Sequence, residues 1–250
     1  MPEDMTGMIE WSIMDTIGRY MMENGTPRYW DSPLVAFADA NSPLFPQLKT
    51  ICCPEHKVPQ DYLPEAETVI SYFLPFKEKV AETNIGGELP SKEWVDSYNT
   101  TNAMAVRINE DIVSLLEGMG HRAVAPPDAG IIINGGFSVW SQRHVAWIAG
   151  LGTFGMNNML ITEKGCCGRF FSVITDMPHA HGERMETERC PYRRDGSCGI
   201  CIDRCITNSL GDDGFKRPTC YDICMGNKER CGADICGKCV VGLPCSHKAP

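Results

Sequence analysis

Ten of the fourteen cysteines lie between Cys190 and residue 250. They run Cys190-x7-Cys198-x2-Cys201-x3-Cys205, then Cys220, Cys224 and Cys231, then Cys236-x2-Cys239-x5-Cys245. Thiolates two and three residues apart on a turning backbone point at one small centre, which is what a soft metal or an iron–sulfur cluster requires. Disulfides are the weaker reading. The opening Met1-Pro2-Glu3-Asp4 is acidic and has no basic segment followed by an apolar run, so no export signal is read there. A reducing compartment keeps dense cysteines available for metal or redox chemistry. Four-thiolate zinc sites are the other alternative. Zinc knuckles more often repeat a single C-x2-C pair, and the gaps here are irregular.

In two-cluster runs of the form C-x2-C-x2-C-x3-C, the fourth cysteine crosses to the other cluster. The Cys198-x2-Cys201-x3-Cys205 segment keeps that rhythm, with Cys190 standing further off as first ligand. Under the crossover rule, a paired site with two cysteine quartets is expected. One takes Cys190, Cys198, Cys201 and Cys245. The other takes Cys205, Cys220, Cys236 and Cys239, with Cys224 and Cys231 open as alternatives to Cys220.

A second stretch runs from Arg143-His144 through Gly150, Gly152, Thr153, Phe154, Gly155 and Met156 to Asn157. A helical pattern leads straight into the three glycines, and glycine lets backbone approach a ligand closely. This is not a dinucleotide fingerprint, because GxGxxG must follow a strand and open a helix. Arg143 and His144, one helical segment earlier, are the candidate catalytic residues, since from there they reach the same pocket as the glycine loop. Set against that, His144 reads equally as a satisfied half-buried histidine and Arg143 as the partner of a nearby carboxylate. Cys52-Cys53 read as small buried apolar residues. Cys166-Cys167 sit in a turn before a strand, with packing favoured over a redox or metal-ligand role. His179 and His181 read as solvated side chains of a polar linker.

These residues need a scaffold. The chain has 250 residues, 43% of them hydrophobic, enough for one large or two modest domains with a real core. No apolar run approaches a membrane span. A net charge of −9 argues against a broad nucleic-acid surface. Ile9, Ile13, Ile17 and Met21 mark the buried face of an opening helix with Gly25 as its cap. Residues 27–46 read as irregular. Thr68 to Phe73 reads as a buried strand ended by Pro75. A long helix spans about 91–119, with Ile108, Ile112, Leu115 and Met119 buried and Gly120 closing it. His121 to Ala125 reads as a strand, Ile131 to Ile133 as a short apolar run, Arg169 to Thr175 as a core strand and 176–188 as linker. Strands alternating with long helices predict an α/β or α+β layer sandwich.

The string Ala149-Gly150-Leu151-Gly152-Thr153-Phe154-Gly155-Met156-Asn157, the strand ending Val173-Ile174-Thr175-Asp176 and the two cysteine groups together resemble the epoxyqueuosine reductase family, a relative of the corrinoid reductive dehalogenases. Leu63-Pro64-Glu65-Ala66-Glu67-Thr68-Val69-Ile70 resembles the family's approach to its first core strand. The resemblance covers most of residues 45–245. It implies a nitroreductase-like, cobalamin-binding α/β domain over 1–185 and a ferredoxin-like domain with two 4Fe–4S clusters over 186–250. Gly150, Gly152, Thr153, Phe154, Gly155 and Asn157 would then contact the cobalamin. The implied function is a cytoplasmic cobalamin-dependent reductase fed by a reductant protein such as a ferredoxin or flavodoxin. A non-catalytic electron carrier or corrinoid-reducing activator is the alternative. Met156 replaces the family's usual lysine, Ile206 its usual proline, and five residues follow Cys245. With the acidic charge, these departures predict a small-molecule substrate and make tRNA an unlikely one.

Overall fold

The computed structural model describes residues 4–130, 132–133 and 136–250. Residues 1–3 of the acidic opening and Ile131 of the apolar run lie outside the described residues. The chain forms two compact units. One comprises residues 1–74, 103–151 and 170–184, and the other residues 75–102, 152–169 and 185–250. The chain crosses between units for the last time at 184/185, and the second unit also draws in two earlier segments.

In the first unit, helix α1 (Met5–Asn24) starts at Asp4, whose carboxylate accepts the Gly7 N–H at 2.8 Å. This satisfies a donor that has no partner inside the helix. Ile9, Ile13 and Ile17 are buried, and Gly25 closes the helix at φ 62°. The stretch read as irregular contains strand β1 (Leu34–Asp39) and the start of helix α2 (Leu44–Ile51). β1 lies at the edge of a four-stranded sheet, in antiparallel register with β2 (Thr68–Pro75) from Leu34↔Phe73 to Asp39↔Thr68. Its burial does not alternate, so its conformation comes from its partner strand and leaves no period-2 signature. Pro46 falls in the first turn of α2, where a missing N–H costs nothing.

β2 is buried along its whole length, as expected of a central strand. The sheet order is β1-β2-β8-β3, with β8 at Gly168–Thr175 and β3 reduced to Ala123–Val124. Helix α3 (Glu78–Thr83) precedes helix α4 (Lys92–Gly118), which buries Ile108, Ile112 and Leu116. Leu115, chosen from the sequence, is only half-buried, because the true stripe continues four residues after Ile112. β4 (Ile132–Ile133) and β5 (Phe137–Ser138) form a small hairpin before helix α5 (Gln142–Ile148). Trp140 anchors this core. Its indole N–H donates to Ser172 Oγ at 2.9 Å and its ring stacks on Phe45.

In the second unit, β6 (Gly152–Phe154) and β7 (Leu160–Thr162) form a hairpin. It is followed by α6 (Pro191–Asp195), α7 (Ile200–Asp203) and α8 (Arg217–Cys231). The mixed α/β class expected from the sequence is therefore observed. No helix among the described residues is long and apolar enough to cross a membrane.

Ile13 is fully buried, so Ile13→Ala is expected to destabilise the protein by about 2–5 kcal/mol and Ile13→Val by about 0.5–1.5 kcal/mol. Urea unfolding followed by circular dichroism checks both values.

Candidate metal centre

Four thiols from distant parts of the sequence face one cavity in the second unit. Cys190, Cys198, Cys201 and Cys245 line it together with Gly155, Met156 and Asn157. Ile161, Pro191 and Leu243 make much of the remaining wall apolar. Cys190 precedes α6, Cys201 lies in α7, and Cys245 follows α8 by a loop. Burial, reinforced by the nearby cysteines, pushes the Cys201 thiol up to about 12. This thiol therefore stays protonated at neutral pH, and a metal that takes it as thiolate must displace the proton. The Met156 N–H donates to Cys190 Sγ at 3.4 Å.

Cys245 is held from outside the cysteine run. The N–H of Cys166 donates to Cys245 O at 2.9 Å, and that of Cys167 to Ser246 O at 2.9 Å. A side chain on Gly165 would collide with the Ser246 backbone. The Cys166 thiol donates to the Cys245 sulfur, an interaction that raises its own pKa and lowers that of Cys245. Cys167 donates to Val240 O at 2.8 Å, so its thiol is satisfied by backbone.

The second group gathers Cys205, Cys220, Cys236 and Cys239. Burial raises the Cys236 and Cys239 thiols, and Cys220 and Cys205 are near enough to raise both further. Cys205 Sγ also accepts the Ser209 N–H at 3.2 Å. Cys224, one turn after Cys220 on α8, bonds to the Cys220 thiol and also senses Cys236. Cys231 turns away and donates to Asn227 O in its own helix at 3.0 Å. Among the described residues, no three His, Cys, Asp or Glu side chains are drawn together as a single-ion site.

The turn between Cys236 and Cys239 is tightly packed. Gly237 adopts φ 79°, and a Cβ there would lie 2.5 Å from the Trp94 indole nitrogen. That indole N–H is buried and has no acceptor among the described residues. Lys238, only 4% exposed, donates to Asn84 O, Asn84 Oδ1 and Gly86 O at 3.1, 3.0 and 2.6 Å. Lys238 stands between two thiols in the sequence, but cysteine spacing alone carries no signal for it.

The glycine stretch divides between the units. Gly150, at φ 83°, closes the first unit's α5, and a Cβ there would lie 2.6 Å from Glu183 O. In the second unit, a side chain on Gly152 would run into the Ile161 carbonyl across the β6–β7 hairpin, and one on Gly155 would lie 2.8 Å from Asn157 Oδ1. Thr153 Oγ1 donates to Glu188 at 3.1 Å and accepts the Arg189 N–H at 2.9 Å. Phe154 is half-buried in β6. Asn157 donates to Cys239 O at 3.0 Å. Gly155 and Asn157 are thus brought to the cysteine cavity, whereas Gly150 is not.

Arg143 and His144 lie half-buried on α5 of the first unit, and His144 Nδ1 pairs with Ser141 Oγ at 2.7 Å. The Ser141 N–H donates to His56 Nε2 at 3.0 Å, leaving the His56 Nδ1–H to donate to Lys57 O at 2.7 Å. Burial lowers the His56 pKa and keeps the ring neutral. Next to it stands a group that the sequence did not disclose. Tyr62 OH makes a short hydrogen bond to Asp128 Oδ1, and Lys57 Nζ donates to Asp128 Oδ2 at 2.5 Å. Burial pushes the Asp128 carboxyl up, but the bonds from Lys57 and Tyr62 outweigh it and hold the acid below its ordinary value. Burial and then Asp128 push the Tyr62 hydroxyl up, so it stays protonated. Cys52 and Cys53 donate to Ser138 O, at 3.9 and 3.5 Å. His179 stacks on Phe37 at 4.0 Å between ring centroids, so it packs against an aromatic face and is not simply solvated.

No protein-family model and no curated protein sequence matches the chain. Solved structures do. An epoxyqueuosine reductase from Streptococcus thermophilus superposes with TM-score 0.55 at 17% identity, covering 96% of this chain and 68% of that one. A catabolic reductive dehalogenase gives 0.55 at 15%, covering 86% and 30%. The fold is that of the epoxyqueuosine reductases and reductive dehalogenases. The chain spans 66% of the length of another epoxyqueuosine reductase, solved with an epoxyqueuosine-modified tRNA stem loop, at TM-score 0.53 and 16% identity. That structure overturns the expectation that tRNA is an unlikely partner. The same fold accommodates a folded RNA, and the net charge of a whole chain does not describe a local contact surface.

Cys231→Ala and Cys224→Ala are each expected to keep the wild-type iron content after anaerobic reconstitution. The double variant Cys220→Ala/Cys224→Ala is expected to lose half, because adjacent thiols on one helix face can replace each other. Iron and acid-labile sulfide analysis checks this.

Proposed function

We propose that the chain is a cobalamin-dependent reductase in which two 4Fe–4S clusters pass electrons to a corrinoid for reductive cleavage. The reading assigns a nitroreductase-like corrinoid domain within residues 1–185 and a ferredoxin-like domain over 186–250. The observation that carries it is the convergence of Cys190, Cys198, Cys201 and Cys245 on one cavity. The donor set fits the cluster. Four thiols, a largely apolar wall and a backbone N–H aimed at Cys190 sulfur are what a buried, hydrogen-bonded cluster takes. Cys205, Cys220, Cys236 and Cys239 fit the second, and the unpaired Trp94 N–H beside their turn is a donor that a sulfide-bearing group can satisfy.

The corrinoid part rests on the fold. Gly150 and Gly152 lend it no support, because the chain's own carbonyls account for their missing side chains. When bound, the clusters supply single electrons and the corrinoid supplies low-valent cobalt for the bond cleavage. The chain's own residues supply the proton. Tyr62 is the donor, held protonated against Asp128, and Lys57 neutralises the carboxylate so that the pair is held at low cost. Arg143 and His144 orient the substrate from α5.

EPR of cob(II)alamin added anaerobically to the cluster-loaded protein tests the corrinoid. A changed cobalt signal that saturates at one equivalent is expected. A free-cobalamin spectrum with intact clusters overturns it and leaves an electron carrier or activator.

The proton assignment has its own test. The reduced protein is offered an epoxyqueuosine-modified tRNA stem loop or 3-bromo-4-hydroxybenzoic acid, compounds bound by proteins of this fold. With whichever is turned over, Tyr62→Phe is expected to slow single-turnover product formation about 10²–10⁴-fold. An unchanged rate removes Tyr62 as donor.

A further inference from the structure

Lys238 is an unusual residue to find inside this unit. It is 4% exposed, and all three of its acceptors are neutral: the Asn84 and Gly86 carbonyls and the Asn84 side-chain amide. A buried ammonium held only by neutral dipoles retains most of its desolvation cost, and buried charges normally meet an opposite charge. Among the described residues, no carboxylate pairs with it. Chemistry able to do so flanks it in the chain: Cys236, whose charge already interacts with that of Lys238, and Cys239, thiols that become anionic when they bind iron.

The surroundings hold the ammonium in place. Asn84 is fully buried, accepts the Ser91 N–H at 3.0 Å and donates through Nδ2 to Cys236 O at 2.9 Å. The amide that receives the lysine therefore also grips the cysteine turn. Gly237, between Cys236 and Lys238, is fixed against Trp94. These contacts give the lysine little freedom to swing out to water.

We propose that Lys238 is the built-in counter-charge of the second iron–sulfur cluster and holds the reduction potential of that cluster up. The inference rests on the cluster assignment given above. Reduction adds one electron and makes the cluster more negative. A fixed cation nearby stabilises the reduced state more than the oxidised one, and the effect is strong where water is excluded. Lys238 is a positioning and tuning residue. It touches no reacting atom.

EPR-monitored redox titration of the reconstituted protein tests the inference. Lys238→Gln is expected to shift the midpoint of one cluster to more negative potential while the other stays at its wild-type value. Lys238→Arg, which keeps the charge, is expected to leave both midpoints in place. If Lys238→Gln loses one cluster and Lys238→Arg keeps both at wild-type potentials, the charge requirement also stands. Two clusters with unchanged midpoints in Lys238→Gln overturn the proposal, and so does loss of a cluster in both variants, which marks a packing role. A wild-type protein with fewer than two four-iron clusters defeats the underlying assignment instead, a result visible in the iron and sulfide count before any variant is made.

Discussion

The cysteine cavity depends on a short backbone zipper. Its sulfurs are far apart in sequence, and Cys245 reaches the other three because the amides of Cys166 and Cys167 grip the carbonyls of Cys245 and Ser246. That grip requires the bare backbone of Gly165, since any side chain there would occupy the path of Ser246. Local turns set the positions of Cys198 and Cys201. Cys245 is set by the tertiary structure.

This explains which parts of the molecule were legible in the sequence. Helix α1 was plain because Ile9, Ile13 and Ile17 repeat at the helical period and burial enforces it. The cysteine types and gaps carry metal chemistry whatever backbone joins them, and Cys190, Cys198, Cys201 and Cys245 line one cavity. β1 was not, because an edge strand borrows its conformation from β2. Leu115 was confused with Leu116 because both are apolar and only packing distinguishes neighbours on a helix. The Tyr62–Asp128 pair was hidden for a different reason. Its members are 66 positions apart, and no spacing rule reaches that far. Gly152 carried a true signal of close approach, but what approaches is the carbonyl of Ile161.

The two units treat buried basic side chains in opposite ways. In the first, His56 is kept neutral because Ser141 needs the lone pair on Nε2 as an acceptor. Protonating the ring would break that bond and charge a buried site, so this corner favours neutral or alkaline conditions. In the second, Lys238 donates to three neutral acceptors while burial lowers its pKa, so its charge is held at a cost. The first arrangement fixes a loop. The second is suited to a centre whose charge changes with its redox state.

The second unit is assembled from three separated stretches, residues 75–102, 152–169 and 185–250. During synthesis, the Gly165 segment emerges long before the residues around Ser246 that it must bind. Until then its amides have only water as a partner, and the cavity has three of its four thiols. Contacts of such wide sequence separation form late, after the loop-closure entropy has been overcome. The four-thiol cavity is therefore complete only after the residues around Ser246 have been made and have found the Gly165 segment.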